Sequence, residues 1–380
     1  MAAPSAVTDR SAGGALARNW GRLNGKGRLA GIDLARGLAV LGMFAAHLLV
    51  TPELLWTAPA TWLGIADGRS SILFATLAGV SIGLVTGGPR PVGREAMAVA
   101  RMRLGVRAGL LWGLGVLLIA TGVPVYVILP AYAIMFVLAL PFTRLAAPPL
   151  LVIAAGLAVV MPWIQVLLDE APLWSTPLGD ELSAAVGWHY PFPVWMAFVL
   201  AGLGLARADL TRLRVQLIAL SAGVVLAAVG YGLDAAARGS GDPVMPTLWS
   251  EVWTAEPHSS GLLEVVGSGG FAIAAIAASL LLCRTAVIWL VLPLRAVGAM
   301  PLTAYTAQII VWAVIALAVF GNTSLLTPFR ELEPFWPLTL GIVAGCTAWA
   351  LLVGRGPFEW AFDRVSKLIV PSSLTKRSNP

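Results

Sequence analysis

Asp33, Arg36 and His47 fall within one apolar stretch, Gly31-Ile-Asp-Leu-Ala-Arg-Gly-Leu-Ala-Val-Leu-Gly-Met-Phe-Ala-Ala-His47. Ionisable groups are costly in hydrocarbon, so three of them in one apolar helix mark a candidate functional site. From Arg36 to His47 is eleven residues. At about 100° per residue that is within about 20° of three full turns, with a rise of about 16 Å. Both side chains therefore leave one face of the helix. An imidazole titrates near neutrality and can take a proton from an incoming nucleophile; the other reading of His47 is a structural hydrogen-bond partner between helices. Asp33 stands one turn before Arg36 and can pair with it, either as part of a binding site or as a membrane-surface anchor and its counterion.

Further candidates lie elsewhere in the chain. Arg90, Arg94, Arg101, Arg103 and Arg107 crowd one loop and the start of the following helix. Guanidinium groups suit phosphate because they donate in a planar fork, although any inner loop is expected to be basic. Asp67 and Arg69 most simply pair with each other. Glu264 can orient His47, bind a substrate, or face water. Ser70, Ser71, Tyr305 and Gln308 are candidate donors to a developing oxyanion. His189 and His258 fall in loops beside Pro and Ser and carry no assigned role. Arg355 and Glu359 form an i, i+4 pair read as structural. No zinc-spacing cluster, P-loop or dinucleotide glycine fingerprint is present, so neither a metal nor a bound cofactor is expected.

The elements that must position these groups are membrane helices. Of 380 residues 58% are hydrophobic and 12% charged, about half the usual charged share. The mean hydropathy is +0.84. A soluble core cannot hide so much apolar surface, which excludes a soluble enzyme, a secreted disulfide scaffold and a disordered chain. Stretches long enough to cross about 30 Å of hydrocarbon run near 32–51, 69–87, 105–121, 124–141, 148–168, 191–206, 214–233, 262–283, 300–320 and 337–354. The fold expected is all-α, a polytopic membrane protein of about ten spans. Thr121-Gly-Val-Pro124 breaks the stretch from 105 to 141 into a hairpin. Cys283 and Cys346 sit in apolar runs and read as packing residues.

With ten spans and both termini cytoplasmic, 22 of the 25 basic residues fall on the inner side, leaving only Arg69, Arg238 and Arg330 outside. The net charge of +6 is thus a topology signal, and nucleic acid is not an expected partner. Arg284–Met300 is apolar but short, with Arg at both 284 and 295; it reads as a re-entrant or interfacial inner piece. Tryptophans 56, 62, 163, 174, 188, 195, 249, 253 and 336 gather at outer span ends or in outer loops, as an interfacial belt does. Residues 1–30 read as a disordered basic cytoplasmic tail, 31–355 as the membrane domain, and 356–380 as an amphipathic helix on the inner leaflet with a tail.

Arginine, ten residues, then histidine, in an Asp33-x-x-Arg-Gly-Leu-Ala39 context, resembles the first-helix motif of the transmembrane acyltransferase superfamily, which includes acyltransferase family 3. The stretch from Ile65 to Ile82 is similar to the second span of its heparan-alpha-glucosaminide N-acetyltransferase and YeiB-like branches. Gly298-Ala-Met-Pro-Leu-Thr-Ala-Tyr-Thr-Ala-Gln308 and Gly356-Pro-Phe-Glu-Trp360 resemble the YeiB-like carboxy-terminal pattern. The resemblance implies transfer of an acyl group, acetyl first, from cytoplasmic acyl-CoA as co-substrate to a hydroxyl or amine of a glycan, glycolipid or small molecule. Carried over by position, His47 is the catalytic histidine and Arg36 a donor-binding residue; the basic loop, with Arg101, Arg103 and Arg107 close to a membrane face, is then the expected place for the CoA phosphates. In the lysosomal N-acetyltransferase branch the catalytic histidine precedes the second span, where this chain has Ala58-Pro-Ala-Thr-Trp62; the glucosamine acceptor of that branch does not carry over. Expected partners are acyl-CoA, the acceptor, the lipid bilayer of a bacterial cell membrane, and a second copy of the chain.

The rival reading is an ion-coupled secondary transporter or lipid exporter, since intramembrane Arg, Asp, His and Glu also describe a carrier. Carriers tend to show paired broken helices in two related halves. The sequence offers one such piece, at 285–299, and no counterpart in the first half.

Overall fold

The computed structural model describes residues 12–25, 27–55, 57–239 and 248–371. Among them every regular element is a helix. In chain order these are α1 (Ala12–Asn24), α2 (Ala30–Leu48), a 3-10 turn at Pro59–Ala66, α3 (Arg69–Val85), α4 (Arg94–Ile119), α5 (Leu129–Ala139), α6 (Ala147–Asp169), α7 (Pro177–Val186) and α8 (Phe192–Arg207). There follow α9 (Leu213–Gly239), α10 (Leu262–Leu282), α11 (Val287–Leu290), α12 (Leu292–Ala299), α13 (Pro301–Phe320), α14 (Leu326–Glu331), α15 (Phe335–Leu352) and α16 (Pro357–Ile369).

Each of the ten apolar stretches holds a helix, but they are not equal. Seven are long and apolar enough to cross a membrane. The Pro59–Ala66 turn and α3, bent by 41° at their junction, make an eighth if taken as one span. Leu129–Arg144 and Phe192–Arg207 are shorter apolar helices. Pro at the start of both, and of α6 and α13, suits a first helical turn whose N–H groups have no partner anyway. The hairpin turns where Gly122 takes a left-handed φ of 70°.

Helix α2 is central: 67% of its span window is buried, against 22–28% for α4, α6, α9 and α15, whose apolar faces are left for lipid. Its neighbours come close because glycine lets backbones touch. A Cβ on Gly298 of α12 would stand 1.7 Å from the Asp33 carbonyl oxygen, and one on Gly37 of α2 2.1 Å from that of Leu294. The α3–α8 crossing is reciprocal, through Gly79 against Val199 and Gly202 against Thr76.

Two expectations change, and the 284–300 piece gains detail. The amino-terminal segment is not disordered throughout: α1 packs on α15, with Asn19 Nδ2 donating to the Leu351 carbonyl at 3.0 Å and Leu23 buried. Residues 1–11 and 372–380 of the two tails lie outside the described residues, as does Trp56. The piece from 284 to 300 folds as the broken pair α11–α12, and Arg295 is wholly buried, donating to Leu23 O at 2.8 Å and Asn24 Oδ1 at 2.9 Å. A guanidinium can be buried when carbonyls satisfy its fork. Trp195 is a core residue packed on Tyr190 and Phe198, not part of an interfacial belt. Cys283 and Cys346 are free.

Candidate functional site

The face of α2 that carries Arg36 and His47 also carries Met43, about 20° off Arg36 on the opposite side from His47. All three line cavities: Arg36 one at the basic end of the bundle, His47 one at the other end, and Met43 both. The two groups therefore share a stripe, with a thioether between the two spaces.

His47 is held from three directions. Gln308 of α13 places Oε1 3.2 Å from His47 Nδ1. An amide oxygen only accepts, so Nδ1 carries the proton and Nε2 keeps the lone pair. Tyr305, one turn earlier on α13, meets the ring edge-on at 6.4 Å between centroids. Arg330 of α14 donates to the His47 carbonyl at 2.9 Å and to that of Ala46 at 3.2 Å. These are among the last carbonyls of α2, which have no helical partner, and a cation there also meets the negative end of the helix dipole.

The cavity beside His47 has a volume of about 290 Å³. The chain has three histidines, and all of them line it, with Asp67, Ser70, Tyr126 and Arg330 among the other walls. His189 stacks on Tyr126 at 3.7 Å and lies 4.7 Å from the His258 ring. Burial, and then the neighbouring His258, push His189 down to about 4, so its ring is neutral at physiological pH. His258 Nε2 faces Asp67 Oδ1 at 3.5 Å. Among the described residues no group of three or more His, Cys, Asp or Glu is arranged to hold a metal ion.

The cavity at the basic end is larger, about 480 Å³. Arg22, Arg28, Arg36, Arg107 and Arg355 line it, together with Met43, Phe74, Leu77, Tyr132 and Tyr305. Asp33 is buried and ion-paired to both Arg28, at 2.5 Å, and Arg36, at 3.4 Å. Arg36 also donates to Ser81 Oγ at 2.7 Å, which turns it toward α3. At the mouth, Asp363 of α16 meets Arg107 at 2.9 Å, Arg355 at 2.8 Å and Lys367 at 2.6 Å. Against partial burial, these cations hold its carboxyl below the usual range.

Several expected site residues stand elsewhere. Arg101 donates to Thr143 Oγ1 at 2.9 Å and Arg103 to the Val370 carbonyl at 3.0 Å; neither lines the basic cavity. Arg101 is about 240° around α4 from Arg107, so one helix cannot aim both at one space. Arg69 does not pair with the Asp67 carboxylate. It donates to Tyr231 Oη at 2.8 Å and backbone oxygens of Gly64 and Asp67, with its guanidinium over the Tyr231 ring. Glu264 neither touches His47 nor faces water: buried, it accepts from the backbone N–H of His258 and of Ser260, both at 2.7 Å. Gln308, expected as an oxyanion donor, is the partner of His47. Glu359 caps α13 through Leu302 N and Thr303 N, while Arg355 goes to Asp363. Ser70 and Ser71 do line the histidine cavity, Ser71 donating to the Gly68 carbonyl at 2.7 Å. Sequence reasoning passed over Arg22, Arg28 and Arg355 because basic residues are ordinary there, and His189 and His258 because no local pattern links them to Asp67.

The chain matches the family model described as heparan-alpha-glucosaminide N-acetyltransferase, catalytic, over residues 28–231. No curated protein and no solved structure matches. The matched region takes in α2, the Asp67 turn, α3 and α4, and covers more than half of the chain. With its long apolar helices, this is a multi-pass membrane protein of the heparan-alpha-glucosaminide N-acetyltransferase catalytic family.

Proposed function

We propose that the protein moves an acyl group, acetyl first, from acyl-CoA at the basic end to a hydroxyl or amine at the histidine end, with His47 as general base. The observation that carries this is that Met43 on α2 lines two cavities, one walled by five arginines and one by three histidines. CoA bears phosphates, which planar guanidinium forks recognise; Arg22, Arg28, Arg107 and Arg355 supply them. Arg36 then flanks the pantetheine arm, whose length is of the order of the rise from Arg36 to His47, about 16 Å. The basic end faces the cytoplasm in this reading, as the positive-inside rule asks, and the acceptor arrives from the opposite face of a bacterial cell membrane.

For a hydroxyl acceptor the steps balance simply. His47 Nε2 takes the hydroxyl proton as oxygen attacks the thioester carbonyl carbon, and the new C–O bond forms. The C–S bond then breaks, and the proton passes from His47 to the leaving sulfur. Gln308 holds the ring in the tautomer that allows this. Tyr305, beside His47 and lining the donor cavity, is placed to donate to the oxyanion.

A carrier reading has one structural point in its favour: the bend between Pro59–Ala66 and α3 gives the first half a break to match α11–α12. Membership of an acetyltransferase family weighs more. The test is release of CoA thiol from acetyl-CoA by protein purified in detergent, with acceptors drawn from a cell-envelope extract and the acetylated product isolated. His47→Ala is expected to abolish release while the protein elutes and melts as before. Full turnover by that variant removes His47 from the mechanism, and no product from any acceptor removes the transferase reading.

A further inference from the structure

Four arginines of the basic cavity have carboxylate partners within the chain: Arg28 and Arg36 pair with Asp33, Arg107 and Arg355 with Asp363. Arg22 differs. Its guanidinium has no ion pair and no hydrogen bond among the described residues. It lies against Gly354 in the break between α15 and α16, where φ is 115° and an added Cβ would collide with Arg22 Nη1 and Asn19 Oδ1. A second cavity of about 540 Å³ opens there between α1, α15 and α16, lined by Arg22, Arg355, Trp349, Trp360, Val353 and Pro357.

Guanidinium forks recognise phosphate; the indoles and the exposure of their neighbours decide what carries it. Trp349 and Trp360 are 40% and 58% exposed, and Leu352 and Val353 beside them are exposed as well. Trp349 Nε1 donates to the Arg355 carbonyl at 2.8 Å, which fixes the ring at the cavity wall. Exposed indoles next to exposed aliphatic groups suit the headgroup level of a bilayer. Helix α16 continues that surface, since Trp360, Arg364 and Leu368 are exposed and four residues apart, hence on one face. The charge balance points the same way: Asp363 meets Arg107, Arg355 and Lys367 together, so a positive excess remains. A nucleotide has no counterpart for the aliphatic groups, whereas a phospholipid supplies phosphate and hydrocarbon at once. In the orientation proposed above, this end faces the leaflet whose surface is negative.

We propose that this cavity seats the headgroup of an anionic phospholipid, its phosphate on Arg22 and Arg355, its polar end between Trp349 and Trp360, and its chains along Leu352 and Val353. The lipid site does not require the transferase reading. It touches that reading at one point, because Arg22 and Arg355 also wall the donor cavity. Lipid and donor phosphates therefore draw on the same two cations, and each ligand weakens the other.

The test titrates phosphatidylglycerol or phosphatidylcholine into the full chain in detergent and counts retained lipid by native mass spectrometry, with unfolding midpoints to confirm folding. Wild type is expected to hold one phosphatidylglycerol about fivefold or more tighter than phosphatidylcholine. Arg22→Gln should erase that preference and Trp360→Ala should weaken phosphatidylglycerol severalfold. Trp336→Ala, 65% exposed at the other end of α15, should leave it intact. Equal retention of the two lipids by wild type overturns the proposal, as does an equal loss in Trp336→Ala and Trp360→Ala. CoA, titrated into lipid-free protein, reads the nucleotide alternative: Trp360→Ala should bind it as wild type does. A loss of CoA affinity in that variant, with phosphatidylglycerol still held, gives the indoles to the donor's adenine and overturns the lipid site. In wild type CoA should displace phosphatidylglycerol; both bound at full affinity overturns the placement on Arg22 and Arg355. A wild type that prefers phosphatidylglycerol yet binds no CoA upholds the lipid site and overturns the transferase reading, which separates the two failures.

Discussion

Gln308 Oε1 lies 3.2 Å from His47 Nδ1, a contact between residues 261 positions apart that fixes which imidazole nitrogen is free. Gln308 is wholly buried, so its amide cannot trade this partner for water, and the ring it holds is presented to the cavity with a defined tautomer. Gln308→Leu should therefore lower kcat for acyl transfer by about tenfold or more while leaving the donor KM close to wild type. His47→Ala should lose nearly all turnover. Steady-state kinetics with acetyl-CoA read both, and a Gln308→Leu enzyme with unchanged kcat would show that the contact does not matter.

Donor affinity should follow the cavity and not the basic loop. Arg107→Gln and Arg22→Gln remove guanidinium groups from the cavity wall and should raise the acyl-CoA KM by about tenfold, the size of one charge-assisted hydrogen bond. Arg101→Gln, whose side chain is bonded to Thr143, should change that KM by less than about twofold, with any effect seen in stability. Equal effects from Arg101 and Arg107 would place the phosphates on the loop.

The α2–α12 crossing should tolerate no added carbon. Gly298→Ala would set a Cβ 1.7 Å from the backbone oxygen of Asp33. The helices must separate, at a cost of about 3 kcal/mol, and the site helix moves with them. The unfolding midpoint in detergent should fall clearly, whereas Gly105→Ala, with open space around it, should not move it.

Acidification should loosen the histidine end. His189 is pushed down to about 4 from the ordinary 6.5 by burial and by His258. The folded state thus binds fewer protons than the unfolded chain between those values, so its contribution to stability is full above about pH 6.5 and is lost as the pH falls toward 4. Hydrogen exchange at residues 187–190 should accelerate over that window in the wild type. In His189→Phe, which keeps an aromatic ring against Tyr126, the pH dependence should flatten.

Much of this protein was legible in one dimension. Hydropathy located every apolar helix, because the length needed to cross hydrocarbon is a property of consecutive residues. Charge distribution gathered Arg28, Arg107 and Arg355 at one end of the bundle and Asp67, His258 and Arg330 at the other. Helical periodicity put Arg36 and His47 on one stripe, since an angle of about 100° per residue is fixed by the backbone alone. The same local arithmetic could not say that Gln308, not Glu264, would reach His47, or that Asp67 would turn from its near neighbour Arg69 to His258, 191 positions further on. It could not bring Arg22 and Arg355, from opposite ends of the chain, to the mouth of one cavity. Those pairings depend on which helices pack against α2 and on how a buried carboxylate bends one loop, and long-range packing of this kind leaves no spacing in the sequence from which to read it.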